Sequence, residues 1–147
     1  MTKLLNEQVI QQIQEVFLNL QEPVAMLFFG SQQNCQYCDE TRQLAEEVAA
    51  LSDKITLRVY DLEADAEVAQ SHGVDSAPHI IMAAKDGDEI RDLGVHFRGI
   101  PSGHEFTSFI QAILIVSSRD SGLSEQTRAF LKALEKPVHL QVFVTPT

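Results

Sequence analysis

Val24-Ala25-Met26-Leu27-Phe28-Phe29, followed after a short polar stretch by Cys35-Gln36-Tyr37-Cys38, is the part of the chain that decides its fold. An unbroken apolar run of this length fits a strand buried on both faces. Pro23 stands at its start. The cysteines come where the run gives way to a second helix reading from Cys35 onward, in which Leu44, Val48 and Leu51 recur at helical spacing. They are the only two cysteines in the chain. Two thiols separated by two residues at a helix entrance can close a small disulfide ring and reopen it. A single ring of this size is a poor structural staple, so a two-electron redox site is the better explanation.

Upstream of this stretch, Val9, Ile13, Val16 and Leu20 predict an amphipathic helix over residues 6–20, with Asn6 as its cap. Downstream, Ile55, Leu57 and Val59 alternate with Thr56, Arg58 and Tyr60, the pattern of a strand. Glu63 to His72 reads as a short helix closed by Gly73. Strands joined through helices imply a parallel pair with a right-handed crossover. The pattern then changes. Residues 78–84 and 89–97 flank the turn Lys85-Asp86-Gly87-Asp88 and predict an antiparallel hairpin. Ser102 and Glu105 fit a capping box before a helix carrying Phe106, Phe109, Ile110 and Ile113. A polar stretch, Ser117 to Gly122, leads to a last helix from Ser124 to about Glu135, and Val138, Leu140, Val142 and Val144 alternate as a terminal strand.

At 147 residues the chain is long enough for one domain with a full core. Its 21 acidic and 11 basic residues leave a net charge of −10, which argues against binding nucleic acid or an anionic membrane. The N-terminus turns polar too early for a signal peptide. No apolar run approaches the ~20 residues of a membrane helix. The expected compartment is the cytoplasm, where a cysteine pair is more often catalytic or metal-binding than structural.

A parallel βαβ half, a ββα half and a CxxC after the first strand resemble the thioredoxin fold. A second landmark is Gly73-Val74-Asp75-Ser76-Ala77-Pro78, which is similar to the stretch preceding that family's cis-proline strand. The Cys-Gln-Tyr-Cys site, Gly99-Ile100-Pro101-Ser102-Gly103-His104-Glu105-Phe106 and the ending Val142-Phe143-Val144-Thr145-Pro146-Thr147 resemble the protein disulfide oxidoreductases, also called glutaredoxin-like. In those proteins two thioredoxin-fold units share one cytosolic chain. The resemblance implies an α/β, thioredoxin-like fold: a central mixed four-stranded sheet flanked by helices, with an extra N-terminal helix and an extra C-terminal helix and strand. Residues 1–118 correspond to a domain carrying the CxxC. Residues 119–147 correspond to a linker, a helix and a terminal strand that begins a second unit, and the chain stops where the second CxxC would follow.

The resemblance implies a thiol–disulfide oxidoreductase acting on protein disulfide or dithiol substrates, with a thioredoxin-reductase-like electron donor and no cofactor. Cys35 is then the nucleophile and Cys38 the resolving cysteine. Gln36, Tyr37, Ala77 and Pro78 are the expected substrate contacts, with the Ala77–Pro78 bond cis. Thioredoxins carry Trp before the first cysteine, Gly-Pro within the pair and a carboxylate on the first strand. Here Asn34, Gln36-Tyr37 and no acid on 23–29 stand in those places, so proton handling differs. Glutaredoxins carry Cys-Pro-Tyr-Cys, which Tyr37 matches and Gln36 does not.

Exchange needs a thiolate, and a helix N-terminus favours one through its unpaired N–H groups and dipole. Asp39 and Glu40 oppose it, more at Cys38 than at Cys35, while stabilising the helix as first-turn acids. His79 follows the proline and is open to a role as proton relay or metal ligand, although a surface position is the expectation. His72, His96, His104 and His139 show no ligand-like spacing. No metal ligand set is assigned. The other readings are a metal or iron–sulfur module using the CxxC, for which two cysteines fill half a tetrahedral site, and a scaffold without activity. The terminal strand can add to an edge of its own sheet or pair with another chain, and self-association through it, as a homodimer, is the expectation.

Overall fold

The computed structural model describes residues 2–145. Helix α1 (Glu7–Phe17) is followed by β1 (Val24–Gly30), α2 (Cys38–Ala49), β2 (Ile55–Asp61), α3 (Ala66–Ser71), the hairpin β3 (His79–Asp86) and β4 (Glu89–Arg98), α4 (Glu105–Ser118) and α5 (Glu125–Lys132). The strands form one sheet in the order β2-β1-β3-β4. β1 runs parallel to β2 and antiparallel to β3, and β3 and β4 are antiparallel. This is the mixed four-stranded, thioredoxin-like sheet that the resemblance implies.

All seven residues of β1 are buried, because helices cover both faces of the sheet. Val24, Met26 and Phe28 face one core with Ile13 and Phe17 of α1, Leu44 and Val48 of α2, and Phe109 and Ile113 of α4. Ala25, Leu27 and Phe29 face the other, with Ala69 of α3 and Val74. Burying each large side chain contributes about 1.5–3 kcal/mol.

Local chemistry sets most boundaries. Asn6 Oδ1 accepts the Val9 N–H at 2.9 Å and caps α1. Gly87 takes φ +64° at the first of the two loop residues between Asp86 and Glu89, as a type II′ hairpin requires. Ser124 caps α5 by accepting the Thr127 N–H.

Three expectations are corrected. α2 begins at Cys38, three residues after Cys35, because Tyr37 at its N-cap keeps a non-helical ψ of 12° at φ −111°. The capping box at Ser102 and Glu105 does not form; His104 holds the N-cap of α4 without a side-chain bond, and Gly103 turns the chain at φ +62°. Residues 137–145 form no strand, since no edge of the sheet pairs with them, and Leu140, Val142, Phe143 and Val144 stay exposed. Pro146 and Thr147 lie outside the described residues.

One side chain ties the end of α4 to the sheet. Arg119, in the left-handed region at φ 55°, donates to the carbonyls of Val116 (2.6 Å), Pro23 (2.9 Å) and Lys85 (3.1 Å) and pairs with Asp86 at 3.0 Å. Arg119→Ala leaves those carbonyls without this donor and is expected to lower the unfolding free energy by about 2–3 kcal/mol. Urea denaturation checks this; a change below about 0.5 kcal/mol, the scale of an ordinary surface substitution, contradicts it.

Candidate active site

The cysteines sit at the carboxyl end of β1. Ser31 to Tyr37 carries the chain from Gly30 to the start of α2, with Asn34 turning it at φ 51°. Cys35 and Cys38 form a disulfide with their Cα atoms 5.5 Å apart. Cys38 is buried and Cys35 half-buried. Gln36 and Tyr37 between them are exposed, Tyr37 at 46%.

The pair is seated by close approach. A Cβ on Gly30 would stand 2.9 Å from Phe28 Cε1 and 3.8 Å from Cys38 Sγ, so a side chain there would crowd a ring buried beneath the disulfide. The Ser31 N–H donates to Cys38 Sγ at 3.4 Å. Ser31 Oγ in turn donates to the Glu63 carboxylate at 2.8 Å, fixing the loop to the segment after β2. The N-cap residue Tyr37 offers no side-chain hydrogen bond to α2, so the first N–H groups of the helix that starts at Cys38 are left without a side-chain cap. Asp39 and Glu40 occupy its first turn.

Pro78 arrives by sheet register. β3 pairs Phe29 with His79, so one step further along the same register sets Pro78 opposite Gly30, the residue that abuts Cys38. The Ala77–Pro78 peptide is cis. Ala77 and Cys35 both pack against the core cluster that contains Cys38. The structure therefore brings Cys35, Cys38, Gln36, Tyr37, Ala77 and Pro78 to one end of the sheet.

His79 does not lie on the surface. It is fully buried, and strand alternation turns it to the opposite face from Cys38, against Phe29 at 6.3 Å between ring centroids. That facing also removes it from a proton path to the sulfurs. Its partners are histidines that the spacing left unconnected. His79 Nε2 and His96 Nδ1 are 2.9 Å apart. His96 Nε2 is 3.0 Å from Asp92 Oδ2, and His72 Nδ1 reaches the same oxygen at 3.0 Å. A carboxylate only accepts, so His72 Nδ1 and His96 Nε2 carry the protons in those two bonds. With His96 neutral, its Nδ1 accepts from His79 Nε2–H. His79 Nδ1 is then a bare acceptor, without a partner among the described residues. Sequence alone had no signal for this cluster, because its members stand on α3's cap, β3 and β4, and only the pairing of those strands joins them.

Burial, with the neighbouring His96 and Arg98, pushes His79 down to about 4. For Asp92, burial works the other way, but hydrogen bonds from the Gly94 N–H, His72 and His96 hold its carboxyl below the ordinary value. A His depressed in the folded state binds fewer protons there than when unfolded. Its contribution is therefore complete above the unfolded value of about 6.5 and is lost as pH falls towards 4. Stability is expected to drop by about 2–3 kcal/mol across that window. His79→Asn keeps a donor for His96 but does not titrate, and should flatten the slope. Urea midpoints at a series of pH values check this; an unchanged slope in the variant contradicts it.

No protein-family model matches the chain. Among curated proteins it is similar to the alkyl hydroperoxide reductase protein AhpF of Staphylococcus epidermidis, 31% identical over 144 residues, covering 98% of this chain and 25% of that protein. The chain thus spans about a quarter of the length of this relative. Among solved structures it is similar to a protein disulfide oxidoreductase from Aeropyrum pernix, at TM-score 0.76 and 26% identity over 88% of this chain and 55% of the other. It is also similar to the NTD_N/C domain of alkylhydroperoxide reductase AhpF from Enterococcus faecalis, at TM-score 0.77 and 27% identity over 90% and 62%. With a sheet of this order and a cysteine pair after its first strand, the chain shares the thioredoxin-like fold of these structures.

Proposed function

We propose that the chain exchanges disulfides with protein substrates through Cys35 and Cys38. The observation that carries this is the Cys35–Cys38 bond at the entrance of α2, with the outer sulfur on the half-buried residue and the inner on the buried one. The similarity to a protein disulfide oxidoreductase and to AhpF supports it. In the reducing direction the Cys35 thiolate attacks a substrate disulfide and displaces one substrate thiolate. The Cys38 thiolate then attacks the Cys35 sulfur and releases the second. Substrate gains two electrons and two protons, and the protein disulfide forms; oxidation of a substrate dithiol is the reverse. The second step is intramolecular, which is what a two-residue spacing supplies.

Gln36 and Tyr37 are exposed beside the sulfurs and are assigned to substrate contact, as are Ala77 and Pro78 at the start of β3. The compartment is the cytoplasm and the electron donor a thioredoxin-reductase-like protein. Among the described residues no helix is long and apolar enough to cross a membrane. No group of three or more His, Cys, Asp or Glu among them could hold a metal ion.

Residues 119–147 form the second part of the chain in this reading. α5 has no buried residue, and beyond it Val138, Leu140, Val142, Phe143 and Val144 are 62–88% exposed. Apolar segments of strand composition with no partner pair with other chains, and we assign this one to a homodimer contact.

Two measurements test these readings. Cys35→Ser is expected to abolish turnover of a small disulfide, while Cys38→Ser should stop at a mixed disulfide on Cys35, visible as added substrate mass in the intact protein. Undiminished turnover in Cys35→Ser overturns the assignment. Deleting residues 137–147 is expected to convert dimers to monomers in sedimentation; an unchanged subunit number excludes the contact.

A further inference from the structure

An apolar groove of about 700 Å³ runs from the CxxC along the seam between α2, the start of α4 and the segment before α1. Its size lies within the roughly 300–1,000 Å³ of ligand pockets. Leu5, Val9, Leu44, Ile100 and Phe106 line it, and Leu4 and Tyr37, each 46% exposed, form its lip.

We propose that this groove takes an apolar side chain flanking the reacting cysteine of a polypeptide substrate, and that the N-terminal segment is its selective wall. The proposal rests on the oxidoreductase reading and adds a substrate class to it.

The wall is built into the fold. The Glu47 carboxylate of α2 accepts the Leu4 N–H at 2.9 and 3.1 Å and the Leu5 N–H at 2.9 Å. Gln43 Nε2 donates to the Thr2 carbonyl at 2.8 Å and to Glu47 Oε1 at 2.8 Å. Although burial works against it, the bonds from Leu4, Gln43 and Leu5 hold the Glu47 carboxyl below its ordinary value, so it stays an acceptor at neutral pH. The helix that begins at Cys38 thus carries, two to three turns further on, the clamp that places Leu4 and Leu5 over the groove.

Two observations point to the occupant. The first is continuity with the cysteines. Tyr37 lies on the groove lip and is two residues from Cys35, so their Cα atoms are at most about 7 Å apart. An extended polypeptide joined to Cys35 by its own sulfur has its neighbouring side chains within that reach. The second is charge. Among the described residues Glu40 is the one charged side chain lining the groove, and the chain carries −10 overall. An apolar flank fits, a Lys or Arg beside it is attracted, and an acidic flank is repelled.

The test uses the reduced full chain and octapeptides carrying one cysteine as its mixed disulfide with thionitrobenzoate. One peptide has Leu beside the cysteine, one Ser, and one Leu with adjacent Glu. The Cys35 thiolate attacks the peptide sulfur and displaces coloured thionitrobenzoate; Cys38 then releases the peptide thiol and leaves the protein as its disulfide. Each peptide is therefore read in single turnovers with protein in excess, whose rate against protein concentration gives kcat/KM and KM. The Leu peptide is expected to exceed the Ser peptide in kcat/KM by about tenfold or more, through KM, the scale of apolar pocket selectivity. The Glu peptide should lose part of that gain, and Leu4→Ser should shrink the Leu/Ser ratio several-fold. Equal kcat/KM for Leu and Ser peptides, or a ratio untouched in Leu4→Ser, overturns the proposal while leaving the oxidoreductase reading standing. If no peptide or small disulfide turns over, that reading fails, and amide shifts of Cys35→Ser protein titrated with a cysteine-free Leu peptide decide the groove alone. Shifts at Leu4, Leu5 and Phe106 support it, and their absence overturns it. Shifts at those amides that instead follow protein concentration without peptide assign the groove to a second copy and also overturn it.

Discussion

Burial of β1 on both faces is the constraint from which the site follows. A strand with seven buried residues has to lie inside the sheet with a neighbour on each side, and here β2 and β3 supply them. Its last residue, Gly30, is therefore enclosed, and the chain must leave the sheet at a point where Phe28 leaves no room for a side chain. That exit sets the cysteines at the end of the sheet. The antiparallel pairing of β1 with β3 brings Pro78 to the same end, because Phe29 and His79 share a register position. The cysteine pair and a proline far away in sequence thus meet through backbone hydrogen bonds rather than through any affinity for each other.

The two sulfurs then differ by position alone. Cys38 is the first residue of α2 and sits in the core with a backbone N–H aimed at its sulfur, whereas Cys35 lies in the loop ahead of the helix and keeps partial access to solvent. That difference in access is what the proposed exchange uses, with Cys35 as the attacking sulfur and Cys38 as the resolving one. Asp39 and Glu40, exposed on the first turn of the same helix, stabilise α2 through its dipole and oppose negative charge on Cys38.

The opposite face of the sheet holds a different kind of chemistry. His79, His96, Asp92 and His72 form a directional hydrogen-bond chain that links β3, β4 and the cap of α3 behind the proline strand. Strand alternation separates it from the sulfurs, and its bonds tie the cap of α3, at one end of the loop that carries Ala77 and Pro78, to the hairpin. Fixing that loop fixes Ala77 and Pro78, which lie within it. A polar network gives this fixing direction, and the buried imidazole makes it sensitive to acid.

Local sequence encodes the elements from α1 to α5 and their order. The apolar run of β1, the period-two alternation of β2, the turn glycine at 87 and the cap at Asn6 are encoded within a few residues of where they act, and so is the CxxC. It also marked residues 138–144 as strand material, but a strand needs an edge to pair with, and none of the described edges takes it. Tertiary structure alone decided where α2 starts relative to Cys35, which face His79 takes, that four polar residues from 72 to 96 meet, and that Leu4 walls a groove beside Tyr37. The reason is physical: periodicity reports which side of an element is apolar, whereas the meeting of distant side chains depends on strand register and helix docking, which local sequence does not contain.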